Sequence, residues 1–167
     1  MNTAPGPLVL IEPYAHRGGG HHQRTLAALA AERPSSLVIA PGGLSEDMAP
    51  LVRSGARVAA GPAGPAARIL LGVARAVARV AAAGQRVFAS RNWPQTVRRS
   101  PHQVTLLARC LTEAACLRTA RRLAPRASSV VILSASEALH GATALLGGAP
   151  HLRFVHEAVT TEDRSVR

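Results

Sequence analysis

Lysine is absent from this chain: all 20 basic residues are Arg, set against nine Asp and Glu, for a formal charge of +11. Such a charge normally points to a polyanion. Here the arginines are scattered through a sequence rich in Ala, Gly and Pro, which reads as a compositional bias more than a basic patch. Aromatics are equally scarce, with one Trp, one Tyr and two Phe, so there are too few rings to stack nucleic-acid bases, and that partner is disfavoured. There are two cysteines, Cys110 and Cys116, six residues apart and outside any C-x-x-C pair, which disfavours a structural disulfide or a zinc knuckle. No basic segment followed by a long apolar run opens the chain. Its most apolar long stretch, 66–83, carries Arg68, Arg75 and Arg79, too many charges for a bilayer span. The expectation is a cytoplasmic protein, with membrane-surface contact through an Arg-rich helix left open.

What is present is an alternation of short aliphatic runs and longer helical patterns. Leu8-Val9-Leu10-Ile11 suits a strand covered on both faces, bounded by Pro7 and Pro13. After Gly18-Gly19-Gly20, a helix is expected over 21–32, ended before Pro34. Further strands are expected over 36–40, 57–60, 86–90, 128–133 and 151–155. A short helix should open at Ser45 as N-cap and close near Gly55. Longer helices should span 66–83, capped by Gly84, and 102–123, with the basic segment 92–101 as a loop, and a last helix should span 138–146. This predicts one α/β domain over 1–159, a Rossmann-like three-layer sandwich with a mostly parallel sheet of about six strands, and a polar tail over 160–167. In such sheets ligands sit beyond the carboxyl ends of the strands. That rim carries Glu12 to His22, Pro41 to Leu44, Ser90 to Trp93, Ser134 to Glu137, and His156-Glu157.

Several site classes fall away. The glycine turn lacks the spaced third glycine of a dinucleotide fingerprint, and no Gly-Lys-Ser/Thr follows to make a P-loop. There is no Gly-x-Ser-x-Gly elbow. His21 and His22 are neighbours that diverge on a helix, so chelation would need His156 or Glu12 as well, and no metal is assigned. The turn itself suits an anion or polar ligand at a helix start, or a tight strand-to-helix connection with no ligand. His156-Glu157 offers an acid/base pair or hydrogen bonds to a hydroxylated ligand, or else a solvated strand end.

The pattern Ile11-Glu12-Pro13-Tyr14, then Gly20-His21-His22-x-Arg24 with Leu26 and Leu29, resembles the first strand, glycine turn and first helix of two-lobed GT-B glycosyltransferases, especially the retaining family-4-like group. Val130 to Glu137 and Leu152 to Glu157 resemble the last strands of the same amino-terminal lobe. The resemblance implies a lobe that binds a hydroxylated acceptor and takes part in sugar transfer from a nucleotide-sugar, with no resident cofactor. It implies backbone amides of Gly18, Gly19 and Gly20, with His21, near the donor diphosphate, and His156 with Glu157 at the transferred sugar. Glu12, Arg24, Asn92, Ser134 and Glu137 are the candidate acceptor contacts. The donor-binding lobe of that family has no counterpart in this sequence, so that lobe is expected either to be missing from this chain or to come from a separate donor-lobe chain as partner. The alternative is a non-catalytic binding module of the same fold.

Overall fold

The computed structural model describes residues 6–17, 21–53, 55–89, 93–135 and 140–155. The expected tail over 160–167 lies outside them. Five parallel strands form one sheet, in the order β3-β2-β1-β4-β5. They are β1 (Leu8–Ile11), β2 (Ser36–Ile39), β3 (Ala56–Ala59), β4 (Ser129–Ala135) and β5 (Leu152–Val155). The helices are α1 (His21–Glu32), α2 (Ala49–Arg53), α3 (Pro65–Ala89), α4 (Gln95–Leu123) and α5 (His140–Gly147). The fold is the expected Rossmann-like α/β sandwich. The order reverses between β1 and β4, which makes their carboxyl ends the switch point at which such sheets bind ligands.

The central strands are apolar run by run because both faces are covered. Leu10, Val38, Val131 and Leu133 pack with Leu26, Ala30 and Val52 of α1 and α2 on one face. Val9, Ile11, Leu37, Ile39 and Ile132 pack with Cys116, Leu117 and Ala120 of α4 on the other. Both cysteines are free and buried. α5 joins α4 on this second face, and its last residue, Gly147, meets the α4 backbone directly. A Cβ there would sit 2.7 Å from Ala114 Cα and 2.8 Å from its carbonyl oxygen. Gly147→Ala is therefore expected to push α5 off α4 and cost about 1–3 kcal/mol, read as a shift in denaturation midpoint. Gly148 follows with φ +89°, and its N–H closes the helix by donating to the Ala144 carbonyl at 2.7 Å.

One expected strand is not a strand. Residues 86–89 continue α3, which runs through Gly84 to Ala89, and Ser90 lies outside the described residues. α4 likewise starts at Gln95, not 102, and carries Pro101 inside it. The physical reason is the pairing of the two helices. A Cβ on Gly84 would stand 3.4 Å from the Pro101 ring, and Phe88 packs edge-on against Trp93 with centroids 5.6 Å apart. Gly and Pro each disfavour a helix interior locally, and contact between the helices outweighs that cost. The short second helix begins at Ala49, after a turn in which the Ala49 N–H donates to the Ser45 carbonyl, so Ser45 does not cap it by its hydroxyl.

Length dictates what this hairpin does. A strand of four residues spans about 13 Å, whereas the 29 residues of α4 span about 43 Å. The carboxyl half of α4 covers the sheet, and its amino half, with α3 alongside, overruns the carboxyl rim. The start of α3 is tied to the far end of α4, where the Ala63 N–H donates to Thr119 Oγ1 at 3.1 Å.

Candidate functional site

The rim is organised by Glu12, the first residue beyond β1. Its side chain is 1% exposed. Oε1 accepts the Tyr14 N–H at 3.0 Å and the Ser134 hydroxyl at 2.6 Å. Glu12 thus fixes the turn after β1 and bridges the switch point to β4. The bridge depends on an irregularity: the β4–β5 register shifts between Ile132 and Ala135, and Ala135 falls on the same face as Ile132, where strict alternation would put it on the other.

Beyond that turn, the α3–α4 overhang and the loops after β1 and β2 enclose a cavity of about 330 Å³. Tyr14, His16 and Arg17 come from the first loop, and Pro41 and Gly42 from the second. α3 contributes Leu71, Ala74, Arg75 and Ala78, and α4 contributes Thr105, Arg109 and Thr112. Apolar residues and three arginines, Arg17, Arg75 and Arg109, share the lining of the cavity. No acidic side chain lines it among the described residues. The Arg17 guanidinium lies 4.8 Å above the Tyr14 ring centroid, a cation–π contact that holds both in place.

Burial pushes the Tyr14 phenol up to about 12, partly offset by the charge of Arg109. The sign is simple. The folded protein keeps this proton while the unfolded chain loses it near pH 10, so stability present below pH 10 is lost as pH rises towards 12. Because Tyr14 is the only tyrosine, ultraviolet titration of the phenolate reads it alone. The native protein is expected to titrate near 12 and the denatured chain near 10. A native midpoint at 10 would place the ring in water. His16 is held below its ordinary value, first by partial burial and then by the charge of Arg17, which favours neutral imidazole at neutral pH.

Of the residues singled out from sequence, Glu12 and Ser134 are brought together as described. Arg24 is exposed on α1, which packs on the opposite face of the sheet from α4, and it is not among the residues lining this cavity. His21 is the first residue of α1, and its side chain is outside the described set. Gly18, Gly19, Gly20, Asn92, Glu137, His156 and Glu157 also lie outside the described residues. Sequence reasoning put Tyr14, His16 and Arg17 on the rim without giving them a role, and it missed Arg75, Arg109 and both threonines. Thr105, Arg109 and Thr112 recur at i, i+4 and i+7 on α4, a spacing that puts them on one face of the helix and could have found them. No group of three or more His, Cys, Asp or Glu side chains is placed to hold a metal ion among the described residues. No described helix is long and apolar enough to cross a membrane.

The fold is a Rossmann-like α/β sandwich whose strand order reverses between β1 and β4, so that this rim lies at its switch point. No family model matches the chain, and no curated protein or solved structure is significantly similar to it.

Proposed function

We propose that the rim cavity binds a small anionic, hydroxylated molecule, and that the chain acts as the acceptor lobe of a sugar transferase completed by a donor-binding lobe on another chain. The carrying observation is the cavity itself: Arg17, Arg75 and Arg109 share its lining beyond β1 and β2 with apolar residues and with Thr105 and Thr112, whose hydroxyls donate to the Pro101 and Ala108 carbonyls and keep lone pairs to accept from a ligand. Guanidiniums match phosphate or carboxylate, hydroxyls match sugar oxygens, and the volume is at the lower end for a small-molecule site. The neutral His16 imidazole is suited to accept a proton from an acceptor hydroxyl. Under this reading Gly18 to Gly20 approach the nucleotide-sugar diphosphate, and His156 and Glu157 face the transferred sugar. A second reading, a binding module without catalysis, is favoured by one observation: the described lining holds no carboxylate or thiol to act as nucleophile.

Thermal shift and calorimetry against nucleotide-sugars, nucleoside diphosphates and phosphorylated sugars test both. A compound present at 100 times its Kd is expected to stabilise the fold by about 2.7 kcal/mol, a rise of roughly 5–10 °C. Arg109→Ala is expected to weaken that binding about tenfold or more, the loss of one charge-assisted hydrogen bond. Binding together with turnover on adding a donor-lobe protein supports the transferase, and binding without turnover leaves the module. If no anionic, hydroxylated compound binds, the cavity is not the site.

A further inference from the structure

α3 has two apolar faces, and among the described residues only one of them is covered. Ala67, Leu71, Ala74 and Ala81 are buried towards α4. Ile69, Val73, Ala76, Val80, Ala83 and Val87 are exposed, with Ile69 and Val80 each 66% accessible and Val87 51%. Their spacing is four, three, four, three, four, the repeat of a coiled-coil seam. On an ideal helix they occupy a stripe roughly 80° wide. Arg68, Arg75, Arg79 and Arg86 form a second stripe about 100° around from it, and α3 contains no Asp or Glu.

We infer that this face docks an acidic amphipathic helix of a partner protein, with the partner's apolar residues in the Val and Ala seam and its carboxylates along the arginine stripe. Seam chemistry favours a helix over a lipid surface. Interfacial helices anchor by Trp, Phe and Leu, whereas this stripe offers Ile, Val and Ala, short side chains that let a second helix approach closely. Charge disfavours a second copy of this chain. Two α3 helices would bring arginine stripes together with no carboxylate on either to meet them, and like charges across a helix pair oppose association. A glutamate-flanked helix satisfies seam and stripe at once, and the arginines would steer its approach and fix its orientation. The apolar seam is separate from the cavity, which α3 lines with Leu71, Ala74, Arg75 and Ala78; of the arginine stripe, only Arg75 reaches that lining.

The test uses the full chain and a labelled probe helix of about four heptads, with Leu at the seam positions and Glu at the flanking ones, beside a twin carrying Lys for Glu. Fluorescence anisotropy is expected to show binding of the Glu probe at least about tenfold tighter than the Lys twin, and weakening with salt. Val80→Asp is expected to weaken it by about tenfold or more while leaving the thermal midpoint in place, because Val80 is on the surface. The double change Arg79→Glu and Arg86→Glu should move the preference to the Lys twin. Equal binding of the two probes, or binding indifferent to Val80→Asp, would overturn the inference. So would a Val80-dependent dimer in sedimentation, which assigns the seam to a second copy. Val80-dependent capture by phosphatidylglycerol vesicles without probe binding would assign it to lipid.

Discussion

Arg153→Met is expected to destabilise the protein by about 3–5 kcal/mol, lowering the thermal midpoint by roughly 6–20 °C. Arg153 Nη2 lies 2.7 Å from Glu113 Oε2, with side-chain exposures of 10% and 1%. Its other guanidinium nitrogen meets His140 Nδ1. The side chain therefore joins β5, α4 and α5, far from one another in sequence. Met preserves most of the stem's packing, so the loss isolates the guanidinium. What remains is a carboxyl group 1% exposed that has lost its contact with the Arg153 guanidinium, and taking one partner from a buried charge is what makes breaking such a pair costly. Adding Glu113→Leu to Arg153→Met should recover much of the loss, since an apolar pair carries no desolvation penalty. Urea melts of the three proteins read this directly. A single-variant cost below about 1 kcal/mol would mean that water reaches the pair, as at an exposed salt bridge.

Glu12→Ala is expected to cost about 2–5 kcal/mol and to reshape the rim cavity, whereas Glu12→Gln should cost much less. Alanine removes the acceptor for the Tyr14 N–H and the Ser134 hydroxyl and leaves a void at a position 1% exposed. Glutamine keeps an oxygen in place for both. The functional consequence runs through Tyr14, which the bond from Glu12 holds in the cavity wall. With that bond gone, the ring gains access to water, and the phenol should titrate below its native value of about 12, towards 10. Denaturation and phenolate titration of both variants separate the outcomes. An unchanged midpoint and an unchanged Tyr14 titration in Glu12→Ala would show that the turn after β1 is held by other contacts.

The aliphatic runs at 8–11, 36–39 and 129–133 are strands in sequence and in structure, because four or more apolar residues between Pro, Gly or Ser breakers have few other ways to be buried. The helix over 21–32 and the parallel alternation were legible for the same local reason. Arg86-Val87-Phe88-Ala89 was not. Four residues of mixed character fit strand or helix equally, and contact of Gly84 with Pro101 and of Phe88 with Trp93 decides for helix.

The site divides in the same way. Glu12 and Ser134 could be placed at one rim from strand ends alone, but their 2.6 Å bond, across 122 residues of sequence, depends on a register shift in β4 that no local pattern announces. The cavity is further removed, since Arg17, Arg75 and Arg109 converge only because a helical hairpin longer than the strands overruns the sheet and folds its polar stripe over the loops. Sequence by itself determined the five strands of the sheet, the first helix and the carboxyl rim, all set by burial within a few residues, but not that 86–89 would extend α3. Tertiary structure decided which arginines meet at that rim, because their meeting rests on packing between segments that local periodicity cannot couple.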